Sequence, residues 1–458
     1  MPLNGLDQVL KPDQISIDQQ DLDVYGKDWA KHIKSNAQAV VFPTSTEQVR
    51  DLVLWARKTQ TALVPSGGRT GMSGAAAAAN QEVIVSFDKM NKVLSHDSID
   101  RTVTCQAGVV TEQLQNYALE HDFYYPVDFA ARGSSQVGGN IATNAGGIKV
   151  LRYGLTRNWV ASLTVVTGQG QVLHLNNSLV KNATGYDLRH LFIGSEGTLG
   201  FVTEATFYVT NPPKALTVLL FGVENLDGVL SIYQSYRKQV PVTAYEMFTE
   251  EALAHVLKQG HLKRPLNQTA PYYVLIEFEL ESDDTLDHAM TLFEECVENG
   301  WVIDGAMSQS PQQAKEFWRL REDISEATAP FEPYKNDISV RVADVTQFLT
   351  ELDTLIKTEY PTFEVIWFGH IGDGNLHINI LKPKDLTSDE FLKKCHEVDK
   401  HMFEMIARFK GSVSAEHGVG LTKKPYLHYT RSEEEIQLMR EIKKVFDPDG
   451  ILNPGKLF

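Results

Sequence analysis

The sequence predicts an α+β protein with two principal domains, and three observations support this. The chain has 458 residues, more than the roughly 100–200 of one typical domain. Its first half interleaves short strand-like and helical segments with glycine-rich loops, whereas longer polar and apolar segments follow Asn211-Pro212-Pro213. The alternation in the second half is typical of an α+β domain with an antiparallel sheet. We expect segments 1–35, 36–212, 213–409 and 410–458, the last of them small and helical.

The composition restricts the class of partner. The formal net charge is −16, and nucleic acids and anionic membranes would instead require clustered cations. Cys105, Cys296 and Cys395 are too far apart to predict a disulfide framework or a CxxC pair. The N-terminal stretch resembles neither a signal peptide nor a transit peptide, and no apolar run reaches the roughly 18–20 residues of a membrane span. We therefore expect a soluble cytoplasmic protein.

Local patterns predict the elements of the first domain. Ala39–Phe42 is expected to be an edge strand, and Thr44–Glu47 to cap a helix that continues to Arg57. Thr61–Val64 is expected to be a short buried strand, and alternating polarity predicts strands at Glu82–Phe87 and Arg101–Gln106. Thr111–Glu120 is expected to be a helix.

The same patterns predict the elements of the second half. Strands are expected at Ala215–Phe221 and Tyr272–Leu280. Helices are expected at Leu226–Lys238, Asp284–Glu298, Pro311–Ala329, Asp389–Phe409 and Ser432–Val445. The last two flank the loop GSVSAEHGVG, and the chain closes on the turn-rich segment DPDGILNPGK.

Three glycine-rich loops in the first domain are the first functional signal: Pro65–Gly74, Gly133–Gly147 and Gly194–Gly200. Glycine lets backbone N–H groups approach phosphate oxygens, and the interleaved Ser and Thr residues add donors. Together the loops predict a long phosphate-bearing cofactor, and turns alone are the alternative. A nicotinamide site is disfavoured because the first loop reads GxxGxxG rather than GxGxxG, although Asp88 is suitably spaced.

The segment Glu364–Leu381 is the second signal. Asp373-Gly374 between two strand-like runs predicts a two-residue hairpin turn. In that register His370 faces His377 with Cβ atoms roughly 4.5–5.5 Å apart, and Asn379 shares their face. Two imidazoles so placed can bind one metal ion, and two separately satisfied polar side chains are the alternative.

Glu416 and His417 add an acid and a third imidazole in the loop SAEHGVG. Two histidines and one carboxylate form an ordinary divalent-metal site that leaves positions for substrate. Neighbouring side chains in an extended loop point apart. We therefore expect one of these two residues to be a ligand and the other a free base.

These motifs together resemble a known family of flavoenzymes. VVFPTSTEQVRDLV, PSGGRTG, the stretch from GGNIATNAGG to LRYG, TGYDLRHLFIGSEGTLGFVTEA and DPDGILNPGK match the FAD-binding pattern of the vanillyl-alcohol oxidase / p-cresol methylhydroxylase (PCMH) superfamily. GSSQVGGNIATNAGG is similar to the D-2-hydroxyglutarate dehydrogenase branch, and GHIGDGNLH and AEHG are similar to metal-dependent D-2-hydroxy-acid dehydrogenases. The resemblance implies a PCMH-type FAD-binding domain, a substrate-binding cap domain and a C-terminal segment that completes both sites.

The resemblance implies a set of FAD contacts in this chain. Those in the three loops are Pro65, Gly67, Gly68, Arg69, Thr70, Gly71, Met72, Ser134, Gly138, Gly139, Asn140, Thr143, Asn144, Gly147 and Glu196. Those outside the loops are Pro126, Asp128, Tyr153, Gly154, Val202 and Asn453. Because Ser66–Met72 contains neither His nor Cys, we expect FAD to be bound non-covalently.

The resemblance also implies the residues of the reaction. His370, His377 and Glu416 are the implied ligands of a zinc-type ion, and His417 is the implied base. The implied substrate contacts are Arg321, Ser325, Lys335, Asn379 and His417. A solvated helix face is the alternative for Arg321. A second cation such as Lys335 suits a substrate with two carboxylates, which favours D-2-hydroxyglutarate over D-lactate.

Several alternatives stay open at this point. Arg341 is either an anchor for a distal carboxylate or, as we favour, an edge-strand charge that blocks mispairing. A D-lactate dehydrogenase, a glycolate oxidase FAD subunit and a non-catalytic flavin-binding protein are the competing functions. The expected electron acceptor is an electron-transfer flavoprotein or a quinone, and a homodimer is one assembly consistent with the sequence.

Overall fold

The computed structural model describes residues 3–30 and 33–458, and the chain forms two compact units. The first unit comprises Met1–Gly147, Gly154–Pro212 and Glu416–Phe458. The second comprises Ile148–Tyr153 and Pro213–Ala415. The boundary expected near Pro212 therefore coincides with a unit boundary. Two segments depart from the expected bounds: Ile148–Tyr153 belongs to the second unit, and the second unit extends to Ala415 rather than to residue 409.

A small sheet in the first unit has the strand order Ile15–Ser16, Ala39–Val41, Val83–Ser86, Leu63–Ser66. The last three strands are parallel. The predicted edge position of Ala39–Val41 is wrong, because the short antiparallel strand Ile15–Ser16 covers its outer side. The predicted cap is confirmed, since the helix Thr46–Thr59 begins after Ser45, whose Oγ accepts a hydrogen bond from the N–H of Gln48 at 3.3 Å.

A second, antiparallel sheet completes the first unit. Its strand order is Val93–Asp97, Thr102–Gln106, Gly200–Tyr208, Val160–Thr167, Val172–Leu175. The helix Thr111–Glu120 has the predicted bounds and buries Leu114 and Ala118 in the core of this sheet. The other helices of the unit are Gln19–Tyr25, Thr156–Trp159, Arg189–Phe192 and Glu433–Phe446, with 3-10 turns at Leu6–Gln8, Pro12–Gln14 and Lys424–Tyr429.

We expected the middle glycine-rich stretch to be a loop, but its residues Val137–Thr143 form a short helix. Val137 and Ile141 are four residues apart and both are completely buried, so one side of the helix packs into the core. Asn144 then ends the helix in the left-handed conformation at φ 52°. Burial of this stripe outweighs the poor helix propensity of two adjacent glycines.

The second unit contains a seven-stranded sheet whose strands are antiparallel, as predicted. The strand order is Val302–Met307, Leu216–Val223, Tyr272–Glu279, Val242–Thr249, Val365–Gly369, Asn375–Ile380, Tyr334–Ser339. The central strand Val242–Thr249 was not predicted. Every residue in it is buried, so it lacks the alternation by which a half-buried strand is found.

The helices of the second unit lie at Val150–Tyr153, Leu226–Gln239, Glu250–Leu257, Asp283–Glu298, Pro311–Glu322, Ile324–Thr328, Val345–Glu359 and Ser388–Arg408, with 3-10 turns at Ala329–Phe331 and Val342–Asp344. The predicted helix Pro311–Ala329 is thus interrupted at Asp323. Its residues Trp318 and Ile324 pack into a core with Phe248 and Leu275 of the sheet. No helix in the described part of the chain combines the length and the apolar composition that a membrane span requires.

Candidate active site

The three glycine-rich segments of the first unit converge. A Cβ on Gly68 would lie 2.1 Å from the carbonyl oxygen of Ser134, so the first and second segments touch at a point that only glycine allows. A Cβ on Gly197 would lie 2.6 Å from Pro65, which brings the third segment against the first. The first segment therefore contacts both the second and the third.

Hydrogen bonds join the remaining parts of this surface. The N–H of Glu196 donates to the carbonyl of Ala142 at 2.8 Å, linking the third segment to the end of the helix Val137–Thr143. The Nδ2 of Asn453 donates to the carbonyl oxygens of Ala75 at 2.9 Å and Glu196 at 2.7 Å. The closing segment of the chain is thus tied to the first and third glycine segments.

Several implied FAD contacts use their polar groups within the protein. Asn140 donates to the Oγ1 of Thr111 at 2.7 Å, and Arg69 donates to the carbonyl of Gly67 at 2.7 Å. Val202 lies in a core strand and is 8% exposed. Gly147 packs on Asp128, since a Cβ there would lie 2.3 Å from the Asp128 carbonyl oxygen.

The other implied contacts have these positions. Thr70, Gly71 and Met72 are partly exposed in the first loop, whereas Pro126 is buried in the segment before Asp128. Gly138, Gly139 and Thr143 lie within the short helix. Gly154 has φ +74° and belongs to the first unit, whereas the residue before it, Tyr153, belongs to the second.

The converging surface has the chemistry that FAD requires. Among the described residues, three buried atoms here have no hydrogen-bond partner: the Oγ of Ser73, the Oε1 of Gln136 and the Oδ1 of Asn453. Buried polar atoms are normally paired, so such atoms on a glycine-lined surface indicate a polar ligand. Gly139 is exposed, and a Cβ added to it would meet nothing within 4 Å.

The histidine hairpin forms, but its predicted register is wrong. His377 pairs with Phe368, not with His370, and the strands Val365–Gly369 and Asn375–Ile380 are joined by five residues. The carbonyl of His370 accepts hydrogen bonds from the N–H groups of Asp373 at 3.1 Å and Asn375 at 3.3 Å, which closes the longer turn. The two imidazoles nevertheless converge, with ring centroids 5.4 Å apart.

A buried carboxylate orients His370. The Nδ1 of His370 lies 2.7 Å from the Oε1 of Glu246, so the Nδ1–H donates to the carboxylate, and Nε2 is the nitrogen suited to bind a metal ion. The Nε of Arg321 donates to the other oxygen of Glu246 at 2.9 Å. Burial by itself would raise the pKa of Glu246, but His370 and Arg321 outweigh it and hold that pKa below its ordinary value.

A second acid lies behind His377. Asp337 pairs directly with His377 across two strands, with its Oδ1 3.6 Å from the Nδ1 of His377. The Nδ2 of Asn375 donates to the same oxygen at 2.7 Å. The ring of Phe368 lies 4.9 Å from that of His377, and the guanidinium of Arg321 lies 4.6 Å above Phe368.

Glu416 completes a group that could hold a metal ion. The N–H of Ala415 donates to the carbonyl of Asp337 at 3.2 Å, so the peptide that follows is placed by the same strand that positions His377. One potential ligand atom from each of His370, His377 and Glu416 lies within 4.8 Å of the others. His417 follows directly and is partly exposed. Two imidazoles and one carboxylate fit a zinc-type ion and leave coordination positions open.

The implied substrate residues are divided between this sheet face and its surroundings. Lys335 pairs with Asn379 on the neighbouring strand. This pair lies two residues along the strands from the pair Asp337 and His377. The Nδ2 of Asn379 is buried and has no hydrogen-bond partner among the described residues. Ser325 is exposed on the short helix Ile324–Thr328.

The favoured interpretation of Arg341 as an edge-strand charge is wrong. The edge strand ends at Ser339, and Arg341 lies in the turn that follows. The Nε of Arg341 is 2.7 Å from the Oδ2 of Asp344, in an ion pair whose arginine side chain is 73% exposed. Such an exposed pair contributes little to stability, about 0–1 kcal/mol.

Comparison with known proteins agrees with this geometry. The family model described as "FAD binding domain" matches residues 37–176, and the one described as "FAD linked oxidases, C-terminal domain" matches residues 212–457. The chain belongs to the FAD-linked oxidases. It is an FAD-dependent oxidoreductase that acts on CH–OH groups, as the family and its relatives indicate.

Two curated relatives of this FAD-linked oxidase match over almost their whole length. A protein of Stutzerimonas stutzeri (strain A1501) named D-2-hydroxyglutarate dehydrogenase is 54% identical over 456 residues, covering 100% of this chain and 98% of the relative. A protein of Xanthomonas citri pv. viticola with the same name is 51% identical, covering 99% of this chain and 96% of the relative.

Solved structures agree on the fold of this FAD-linked oxidase. The chain is similar to substrate-bound p-cresol methylhydroxylase, with a TM-score of 0.76 and 14% identity over 100% of this chain and 96% of that one. It is also similar to alkyldihydroxyacetonephosphate synthase, with a TM-score of 0.74 and 21% identity over 100% and 86% of the two chains. The predicted PCMH-type fold is confirmed.

Two acids of this FAD-linked oxidase were missed in the sequence. Glu246 orients His370, and Asp337 lies behind His377. The signal for Glu246 is a single acidic residue within the apolar run Val242–Thr249, but that run was not recognised as a strand. A charge in a fully buried strand requires buried partners, and it would have indicated a site.

Proposed function

We propose that this FAD-linked oxidase converts D-2-hydroxyglutarate to 2-oxoglutarate with non-covalently bound FAD and a divalent metal ion. The observation that carries the proposal is the group His370, His377 and Glu416, whose ligand atoms lie within 4.8 Å of one another. The relatives that are 54% and 51% identical carry the name D-2-hydroxyglutarate dehydrogenase.

His370, His377 and Glu416 would hold the metal ion, and Glu246 would keep the Nδ1–H of His370 turned away from it. When bound, the metal ion supplies a Lewis acid that lowers the pKa of the C2 hydroxyl, and FAD supplies the acceptor for the hydride from C2. His417 takes the hydroxyl proton on an imidazole nitrogen, because imidazole is an effective base near neutral pH.

Substrate recognition would use the row of polar side chains beside the histidines. The Nδ2 of Asn379 donates to a substrate oxygen, which satisfies an otherwise unpartnered buried N–H. Lys335 lies opposite Asn379 on the edge strand. Because the Nε of Arg321 is held by Glu246, its remaining N–H groups would contact a carboxylate. Two cations in this arrangement favour a dicarboxylate over D-lactate or glycolate.

The flavin is proposed to be non-covalent because the three cysteines are buried and the loop Ser66–Met72 contains no His or Cys. Acid precipitation of the holoenzyme should therefore release all of the FAD into the supernatant. Flavin that stays with the polypeptide would contradict this part of the proposal. The electron acceptor is proposed to be an electron-transfer flavoprotein or a quinone, and reoxidation of the reduced enzyme by each one would distinguish them.

The central experiment is the visible spectrum of the holoenzyme, recorded anaerobically before and after D-2-hydroxyglutarate is added. We expect the flavin bands to bleach in the native protein, to stay in protein treated with EDTA, and to bleach again after Zn²⁺ is restored. The control variant is Lys357→Ala, which removes an exposed cation from the helix Val345–Glu359 and should bleach like the wild type.

Three results would overturn parts of the proposal. Bleaching by D-lactate, D-malate or glycolate but not by D-2-hydroxyglutarate would change the substrate. Bleaching that survives removal of the metal ion would exclude the metal role of His370, His377 and Glu416. If no 2-hydroxy acid reduces the flavin, the proposal that the protein oxidises a 2-hydroxy acid is wrong.

A further inference from the structure

Glu196 occupies an unusual position in the third glycine segment. The residue is 4% exposed, and its backbone has φ +51°, in the left-handed region that non-glycine residues rarely adopt. Such a conformation persists only when the surroundings determine it. The neighbouring residues Gly194 and Gly197 also have positive φ, but they can adopt it without a Cβ. The glutamate side chain therefore has a role that glycine could not supply.

Both oxygens of the Glu196 carboxylate are used by one short stretch of chain. Oε1 accepts a hydrogen bond from the N–H of Val419 at 2.7 Å, and Oε2 accepts one from the N–H of Gly420 at 2.8 Å. Bonds from backbone N–H groups to an ionised carboxylate are short and about twice as strong as neutral ones. The resemblance implied that Glu196 lies along FAD, whereas its carboxylate faces the segment Gly418–Gly420.

The backbone of Glu196 is itself held in place. Its N–H donates to the carbonyl of Ala142, and its own carbonyl accepts the Nδ2 of Asn453 at 2.7 Å. From the other side, the carbonyl of Ser73 accepts the N–H groups of Leu421 at 2.8 Å and Thr422 at 3.0 Å. The segment after His417 is thus attached at two points to the glycine-rich surface of the first unit.

We infer that Glu196 is a positioning residue, whose carboxylate holds Gly418–Gly420 in the conformation that aims His417 at the substrate. This inference rests on the proposed function, in which His417 is the base. Gly418 has φ +74°, and a Cβ there would lie 2.8 Å from the Oε1 of Glu196, so the segment approaches the carboxylate as closely as a glycine permits. A base must lie within hydrogen-bonding reach of its proton, so loss of this attachment lowers the rate of the chemical step.

The test compares Glu196→Gln with the wild type. Burial raises the pKa of Glu196 to about 7, while the N–H groups of Val419 and Gly420 oppose the rise. Measurements at about pH 8 therefore keep the wild-type carboxyl ionised. Glutamine has the same shape, but it turns one N–H₂ group towards an N–H donor and loses one of the two hydrogen bonds.

Two quantities are measured: hydrogen exchange of peptides containing Val419 and Gly420, and the rate constant of flavin reduction in a single turnover. In Glu196→Gln we expect Val419 and Gly420 to lose protection from hydrogen exchange. The rate constant of flavin reduction should fall about tenfold or more, as expected for a lost charge-assisted hydrogen bond, while the affinity for substrate changes by less than about twofold. Glu196→Asp keeps the carboxylate and should restore part of the rate. Lost protection with an unchanged rate, or unchanged protection, would overturn the inference.

Gly418→Ala gives a second test that does not alter Glu196, and it serves if Glu196→Gln fails to fold. Its Cβ pushes the segment away from Oε1, so we expect the same pair of effects. Gly260→Ala is the matched control for strain alone, since Gly260 has φ +84° and nothing lies within 4 Å of an added Cβ. If the control slows reduction as much as Gly418→Ala does, the inference fails.

The failure of the proposed function would be seen separately. If D-2-hydroxyglutarate does not reduce the wild-type flavin, the substrate assignment fails, and the variants are compared with whichever 2-hydroxy acid does reduce it. Hydrogen exchange reports the attachment of the segment in either case, because it requires no turnover.

Discussion

Replacing Glu246 by glutamine tests whether a buried carboxylate supports the metal site. Glu246 has a side chain only 1% exposed, and it accepts from Arg321 through one oxygen and from His370 through the other. Glutamine keeps the shape but presents only one acceptor. One of the two donors then meets an N–H₂ group, and the charge of Arg321 is no longer balanced.

The expected magnitudes follow from these contacts. Breaking a buried ion pair by removing one partner typically costs about 3–5 kcal/mol, and the retained amide oxygen places glutamine near the lower end, about 3 kcal/mol. Loss of the group that orients a metal-binding histidine typically weakens metal binding by about 10–100-fold. We therefore expect Glu246→Gln to lower both the free energy of unfolding of the metal-free protein and its affinity for Zn²⁺.

The assays are urea unfolding of the metal-free protein and competition for Zn²⁺ against a chromophoric chelator. Glu277→Gln is the matched control. Glu277 is a buried carboxylate on the adjacent strand, where it pairs with Lys149 and accepts from the Nε1 of Trp318 at 2.9 Å. Glu277→Gln should lower the free energy of unfolding by a similar amount and leave the affinity for Zn²⁺ unchanged. Equal Zn²⁺ affinities for Glu246→Gln and the wild type would refute the reasoning.

Three further predictions follow from particular side chains. Gly139→Ala should stabilise the apoprotein by about 0.5–1 kcal/mol in thermal unfolding, because alanine favours the helix, yet weaken FAD binding in a fluorescence titration; unchanged FAD affinity would place the flavin elsewhere. Asn379→Leu should stabilise the substrate-free protein by about 1–3 kcal/mol by removing an unpartnered buried donor, while kcat/KM falls; a destabilised variant with normal kinetics would contradict this. Burial raises the pKa of Glu196 from 4.5 to about 7, so its stabilising contribution is full below pH 4.5 and is lost as the pH rises through 7. In urea titrations the wild type should lose about 3 kcal/mol relative to Glu196→Gln across that range, and a constant difference would argue against the raised pKa.

The site residues that the sequence could predict are those in local motifs. Residue type and spacing selected His370 and His377 and left open which of Glu416 and His417 is the ligand, a choice that the family resemblance made. The ligand atoms of His370, His377 and Glu416 do converge. The predicted register of the hairpin was nevertheless wrong, because five residues rather than two join its strands. A shift of two residues keeps His377 on the same face, since side chains alternate with a period of two. The imidazoles of His370 and His377 therefore converge although the predicted turn was wrong.

The supporting residues could not be predicted from spacing. Glu246 is 124 residues from His370, and the Glu196 carboxylate is 223 residues from Val419. Hydrogen bonds between residues so far apart in the sequence depend on which strands become neighbours in a sheet and on which segments the loops bring next to each other. Neither property is encoded in a local pattern.

By itself, the sequence determined the two-domain α+β class, the antiparallel sheet of the second half and the types of residue that carry the chemistry. These depend on periodicity, glycine placement and short motifs, which act over a few residues. Only the tertiary structure decided that the three glycine segments form one surface, that Glu246 joins Arg321 to His370, and that Glu196 holds the segment after His417. The physical reason is that a buried polar group must find a partner wherever the fold brings one within about 3 Å.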